Sequence, residues 1–181
     1  MTRSLDAYAD IHTHRLDLAC RDDVVVSIAP DTPMLAGGTY SVGIHPWDTD
    51  KPITLTTLRR LVATAADSRV VAIGECGFDR LRGADMERQV AVFDFQARLA
   101  ARHGLPLIIH CVKAYDVLAA AVRRHRPAEG MWIVHGFRGK PALARQLIDL
   151  GLSLSLGSRF NPEVLAVIPP ERLYRESDAL N

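Results

Sequence analysis

The sequence predicts an α/β fold, a small (β/α)8 barrel of the TIM type with some covering helices missing, and three observations carry that expectation. Eight short aliphatic or β-branched runs recur along the chain, apolar enough to be buried on both faces of a parallel sheet. Helical periodicity fills the gaps between the later runs. Metal-capable side chains, His12, His14, Glu75, His110, His135 and Asp178, close five of the runs at their downstream ends. Only a fold that gathers strand ends into one mouth makes that placement useful.

The first strand is expected at 8–14, where His12 and His14 stand at i and i+2 and so share a face. Asp10 shares it as well and is placed to support the two imidazoles. Strands follow at 23–30 and 39–45, but the segments 15–23 and 31–38 are too short or too rich in Pro and Gly for full covering helices. The barrel is expected to be bare there. A helix over 55–66 leads to a strand at 69–76, in which Glu75 would be costly to bury unless coordinated or paired. The helix over 86–103 has the clearest apolar stripe, through Val90, Phe93, Ala97, Ala100 and Ala101, and Gly104-Leu-Pro106 stops it. Strands at 105–111 and 131–136 carry His110 and His135, with helices over 115–125 and 141–150 after them. The last strands, 152–157 and 172–178, end on Asp178 with only Ala179-Leu-Asn181 beyond. No sealing helix is expected, and uncovered strand backs argue for a homo-oligomer.

At 181 residues the chain suits one domain spanning 1–181. No apolar stretch approaches the roughly 20 residues that span a bilayer, and the first residues lack a secretory segment, so a cytoplasmic protein without a membrane partner is expected. Cys20, Cys76 and Cys111 are odd in number and lack CxxC spacing, which argues against a disulfide framework. Cys76 and Cys111 follow Glu75 and His110 directly, hence face the other way and serve packing. A net charge of +1 provides no strong field for nucleic acid or anionic membrane. Its distribution says more: Arg15, Arg80, Arg82, Lys113, Arg138, Lys140 and Arg159 follow strand ends, where they either solvate loops or ring the mouth for an anionic substrate.

Mixed nitrogen and oxygen donors suit Zn²⁺, Mn²⁺ or Co²⁺ and also accept Mg²⁺. Six such side chains exceed one tetrahedral site, so two divalent metal ions sharing a carboxylate are expected, with Mg²⁺, Mn²⁺ or Zn²⁺ as the choices. Paired ions roughly 3.5–4 Å apart activate water for phosphoester hydrolysis. Any one histidine near an apolar run reads equally as structural, but His12, His14, His45, His110 and His135 all fall at strand ends. His103 and His125 lie instead at helix termini, where an imidazolium suits the dipole. His45 is read as a substrate contact rather than a further ligand. Arg123-Arg-His-Arg126 reads as a solvated helix end on the wrong face for the mouth.

At these residues the chain resembles the TatD family of metal-dependent deoxyribonucleases. Asp10-Ile-His-Thr-His14 is similar to the family's HxH opening, Gly43-Ile-His-Pro46 to its GxHP segment, and Ile73-Gly-Glu-Cys-Gly77 to its IGExG segment. Ile109-His110 and Val134-His135 resemble its later histidine strands, and Glu176-Ser-Asp178 its closing ETD. The resemblance implies that His12, His14 and Asp178 hold one metal, His110 and His135 the other, and that Glu75 bridges them. It also implies that Asp178 takes the proton from the attacking water. Three departures stand out. Val112 and Lys113 replace the Arg expected after His110, giving a point charge instead of a planar fork. Trp47 replaces a histidine, offering a ring to stack a base or pack a loop. The chain also stops where the family continues.

The activity implied is a phosphodiesterase or deoxyribonuclease acting on DNA ends or single strands, with Lys113, Arg138, Lys140, His45 and Trp47 contacting substrate. The same site suits ester hydrolysis on an aminoacyl-tRNA, and a third reading is a catalytically weak scaffold that survives by association.

Overall fold

Eight short parallel strands lie side by side in chain order in one curved sheet: β1 (Asp10–Thr13), β2 (Val24–Ile28), β3 (Tyr40–Val42), β4 (Val70–Asp79), β5 (Leu107–Val112), β6 (Trp132–Val134), β7 (Ser153–Leu156) and β8 (Leu173–Arg175). The computed structural model describes residues 5–178. Helices α1 (Leu55–Ala65), α2 (Met86–His103), α3 (Tyr115–His125) and α4 (Pro141–Asp149) follow β3, β4, β5 and β6 in turn, giving a nearly closed (β/α)8-type barrel. No described helix is long and apolar enough to cross a membrane. The segment 179–181, on which the missing sealing helix was argued, lies outside the described residues.

Local chemistry sets the helices. The Asp85 carboxylate accepts from the Arg88 N–H at the start of α2, and Gly104 at φ 63° ends it, an αL position that costs glycine little. Thr54 caps α1 in the same manner. The inner face of α2 brings Phe93 against Phe78 of β4, at 4.5 Å between ring centroids, and against Trp132 of β6 at 5.2 Å. Phe93 is fully buried, so Phe93→Ala is expected to cost about 3–5 kcal/mol, read as a lower urea midpoint at unchanged slope.

Two apolar cores follow from strand alternation. The larger, between sheet and helices, holds Val24, Val26, Ile109, Val134 and Leu154 from the strands with Leu61, Phe93, Leu118 and Leu147 from the helices. The smaller holds Ile11, Val25, Ala72, Ile108 and Ile133, with no α-helical member, and fills the barrel interior beneath the mouth. Val25 is followed on its face by Ser27, Ile108 by His110, and Ile133 by His135. The interior thus turns from apolar to polar toward the carboxyl ends of the strands.

Two expectations need correction. The first third is not bare: β2 is buried at all five positions, because Ala19, with Leu18 and Met34 from the loops, supplies the cover that a helix supplies elsewhere. Thin cover is found at β8, where Leu173 and Tyr174 are half-buried and Arg175 is exposed. Glu75 does not close its strand; β4 continues to Asp79, pairing Gly77, Phe78 and Asp79 with His110, Cys111 and Val112.

No ladder joins β8 to β1 among the described residues, and side chains lace that seam instead. Asp10 accepts from the Ser177 N–H at 3.1 Å and from the Ser177 hydroxyl, while the Tyr174 hydroxyl donates to Asp6 at 3.0 Å. The Asp10 carboxylate also accepts from the His12 N–H at 3.1 Å, so it braces the first strand rather than an imidazole ring.

Candidate metal centre

Register shifts aim the ligands. Strict alternation would set Glu75 on the face of Ile73, yet Ile73, Cys76 and Phe78 all lie in the outer core. The ladder between β4 and β5 shifts between Ile73 and Cys76, and that irregularity turns Glu75 inward. Gly74, at φ 148°, makes it possible: a Cβ there would stand 2.5 Å from the carbonyl oxygen of Ile108. A second shift, between Asp10 and Thr13 of β1, accompanies the close approach of His12 to Glu75, although Ile11 beside it belongs to the interior core.

Glu75 is the hub. Its Oε2 lies 3.1 Å from His14 Nε2 and 3.3 Å from His12 Nε2. Its Oε1 lies 2.9 Å from His45 Nε2, 2.9 Å from His110 Nδ1 and 2.7 Å from His135 Nε2. Five imidazoles therefore converge on one buried carboxylate, sorted between its two oxygens. Burial by itself would raise the Glu75 carboxyl, but the facing imidazoles of His135, His110 and His12 hold it well below the usual range. Burial would likewise lower His135, yet the charges of Glu75 and Glu176 raise it well above an ordinary imidazole. At the rim, His14 is raised by its hydrogen bond to Glu75.

The donor set fits a divalent cation. Both ring nitrogens of His12, and Nδ1 of His135, are buried without a hydrogen-bond partner among the described residues, a state worth about 1–3 kcal/mol of penalty per group unless something binds there. Four overlapping groups bring ligand atoms within 4.8 Å of one another: His12, Glu75 and His135; His12, His14 and Asp178; His45, Glu75 and His110; His135, Glu176 and Asp178. All six ligands expected from the sequence fall in these groups. His45, expected to touch substrate only, is in them too. His110 is grouped with His45 rather than with His135.

Two carboxylates were missed by the sequence reading. Asp79 closes β4 and receives His110 Nε2 at 3.0 Å and the Trp47 indole N–H at 2.6 Å. Burial raises it less than these bonds lower it, so it is held below an ordinary aspartate. Its signal was present: Glu75, Gly77 and Asp79 alternate onto one face. Glu176 accepts from the Gly136 N–H at 2.9 Å and from the Ser155 hydroxyl, with Oε1 3.6 Å from His135 Nδ1. Against the pull of burial, His135 and that hydroxyl bring its carboxyl down to about 2.

Of the cations expected at the mouth, Lys113, Arg138 and Arg159 line a cleft of about 900 Å³ with His110, His135 and Asp178. Lys140 is exposed at the start of α4 and does not line it. Arg15 pairs with Asp17, and Arg80 with Asp116. Trp47 lines a smaller cleft of about 310 Å³ with His14, His45 and Glu75, and the guanidinium of Arg82 lies 3.6 Å over its ring. His125 pairs with Asp94 at 2.8 Å, far from the mouth. Cys76 and Cys111 are buried thiols, and burial pushes Cys111 up to about 12.

Comparison with known proteins agrees with this geometry. The family model for TatD related DNase matches residues 35–179. A protein of Pantoea ananatis named 3'-5' ssDNA/RNA exonuclease TatD is 34% identical over 153 residues, covering 77% of this chain and 56% of that protein. The Escherichia coli protein YjjV, named an uncharacterized metal-dependent hydrolase, is 34% identical over 151 residues, covering 77% and 57%. The crystal structure of YjjV superposes with a TM-score of 0.73 at 26% identity, over 96% of this chain and 80% of that one. The chain thus spans little more than half the length of the curated relatives it matches.

Proposed function

Because the chain belongs to the TatD-related DNase family, we propose that it is a divalent-metal-dependent hydrolase cleaving phosphodiesters of single-stranded nucleic acid, DNA ends above all. One observation carries the reading: five imidazoles within 3.3 Å of a single buried carboxylate, beside a cleft lined by Lys113, Arg138 and Arg159. In this reading His12, His14 and Asp178 hold one ion, His110 and His135 with His45 the other, and Glu75 lies between. Divalent metal bound there supplies Lewis acidity for attack on a phosphoester.

The chain's own residues do the rest. Asp178, half-buried at the mouth, takes the proton of the attacking water. Lys113 and Arg138 hold the phosphate in the larger cleft, and Trp47 and His45 border the nucleotide in the smaller one. The apolar layer of Ile11, Val25, Ile108 and Ile133 closes the barrel below and keeps bulk water from reaching Glu75 by that route. A cytoplasmic location fits three free thiols, and a second copy covering the β8 side is the matching proposal for assembly.

Metal-stripped protein resupplied with Mg²⁺, Mn²⁺ or Zn²⁺ is expected to degrade a 3'-labelled single-stranded DNA, and His135→Ala to abolish the cleavage while the fold persists. An aminoacyl ester hydrolysed while DNA stays intact would transfer the site to the deacylase reading. Metal binding with no turnover on either, at a mass above that of the monomer, would leave the scaffold.

A further inference from the structure

We propose that Asp79 is a positioning residue, held by Trp47, that fixes the ring of His110 so that Nδ1 faces the metal centre. The inference rests on the metal reading above and deepens it. Asp79 is 3% exposed and lies outside the groups able to hold an ion among the described residues. Its oxygens are divided. Oδ1 accepts the Leu81 N–H at 2.7 Å, leaving Oδ2 for the Trp47 indole at 2.6 Å and for His110 Nε2 at 3.0 Å.

The donor inventory then decides the proton. An indole N–H only donates, and an ionised carboxylate only accepts, so the His110 nitrogen facing Oδ2 must carry hydrogen. With hydrogen held on Nε2, the nitrogen left to take an ion is Nδ1, which otherwise faces Glu75 Oε1 at 2.9 Å. Such carboxylate–imidazole pairs orient the ring and raise its basicity as a ligand.

The surroundings hold Asp79 in this role. Gln89 of α2 accepts the Asp79 N–H at 2.7 Å and donates to the carbonyl oxygens of Asp79, Arg82 and Ala84 at 2.9, 3.1 and 2.8 Å. One buried amide thereby clamps the end of β4 and the loop after it. Arg82, from that loop, covers the Trp47 ring, while the His45 ring meets Trp47 edge-on at 4.7 Å. Trp47 is thus tied to two of the three histidines on the Oε1 side of Glu75, His45 and His110, and to neither on the Oε2 side.

Asp79→Asn keeps the acceptor for Leu81 but offers an NH₂ group to His110, removing the acceptor that holds hydrogen on Nε2 without changing shape. Trp47→Phe keeps a ring under Arg82 and removes only the donor. Titration of metal-stripped protein with Co²⁺ is expected to show one of two binding equivalents weakened about 10- to 100-fold in Asp79→Asn, and a smaller loss of the same equivalent in Trp47→Phe. Imidazole ¹⁵N shifts of the metal-free protein are expected to show hydrogen on His110 Nε2 in the wild type and none there in Asp79→Asn. That readout needs no bound metal, so it judges the orientation even if the metal reading fails. Hydrogen on His110 Nε2 in both proteins would overturn the proposal, as would equal weakening of both equivalents.

Discussion

Glu75→Gln is expected to leave the barrel folded and to lower metal-dependent hydrolysis by about three orders of magnitude. The carboxylate faces His12 and His14 through one oxygen and His45, His110 and His135 through the other, so it meets all five imidazoles at once. An amide of the same shape keeps one acceptor, loses the charge, and turns an N–H toward imidazoles that need an anion or a cation. Lewis-acid stabilisation worth several kcal/mol is forfeited, and about 1.4 kcal/mol corresponds to each tenfold in rate. Initial rates on single-stranded DNA, with a circular dichroism melt as the control for folding, check the prediction. A variant within tenfold of the wild type would remove Glu75 from the chemistry.

The stability of the metal-stripped protein is expected to depend on pH with a limb on each side of a narrow plateau. Glu176 sits at about 2 against an ordinary 4.5, so its contribution is complete above 4.5 and is lost as pH falls through that interval. At about 1.4 kcal/mol per pH unit this amounts to on the order of 3 kcal/mol, or roughly 10 °C in melting temperature for a chain of this length. Depressed Glu75 adds to the same acid limb. His135 acts oppositely: raised above 6.5, it stabilises fully below that value, and the contribution fades as pH rises through its folded-state pKa. The plateau therefore lies between about 4.5 and 6.5. Bound metal at about 100 times its dissociation constant restores roughly 2.7 kcal/mol on the alkaline side. Melting temperatures across pH, with and without metal, test both limbs, and Glu176→Gln should flatten the acid one. A metal-free protein equally stable at pH 3 and pH 6 would contradict the assignment.

The helices were legible in the sequence almost to the residue because their determinants are local. The stripe through Val90, Phe93 and Ala97, the Asp85 cap and the Gly104 stop all lie within a few turns of one another. Strand existence was legible too, but strand ends depend on partners distant in sequence. That is why 39–45 shrinks to Tyr40–Val42 while 69–76 extends to Asp79. The expected ligands come together as the motifs suggested, yet nothing in the sequence shows the register shifts that turn Glu75 inward. Composition could not show that loops around Ala19 and Met34 would cover β2 either. Asp79 was recoverable from alternation with Glu75. The bond from Gly136 to Glu176 was not, because every residue but proline offers a backbone N–H.

The most direct test of the account is diffraction from crystals of the metal-loaded protein, measured at the absorption edge of the bound metal. Two anomalous peaks are predicted, one on each side of the Glu75 carboxylate, with His12 and His14 toward one and His110 and His135 toward the other. A single peak, or peaks that leave Glu75 uncoordinated in a preparation that turns over, would contradict it.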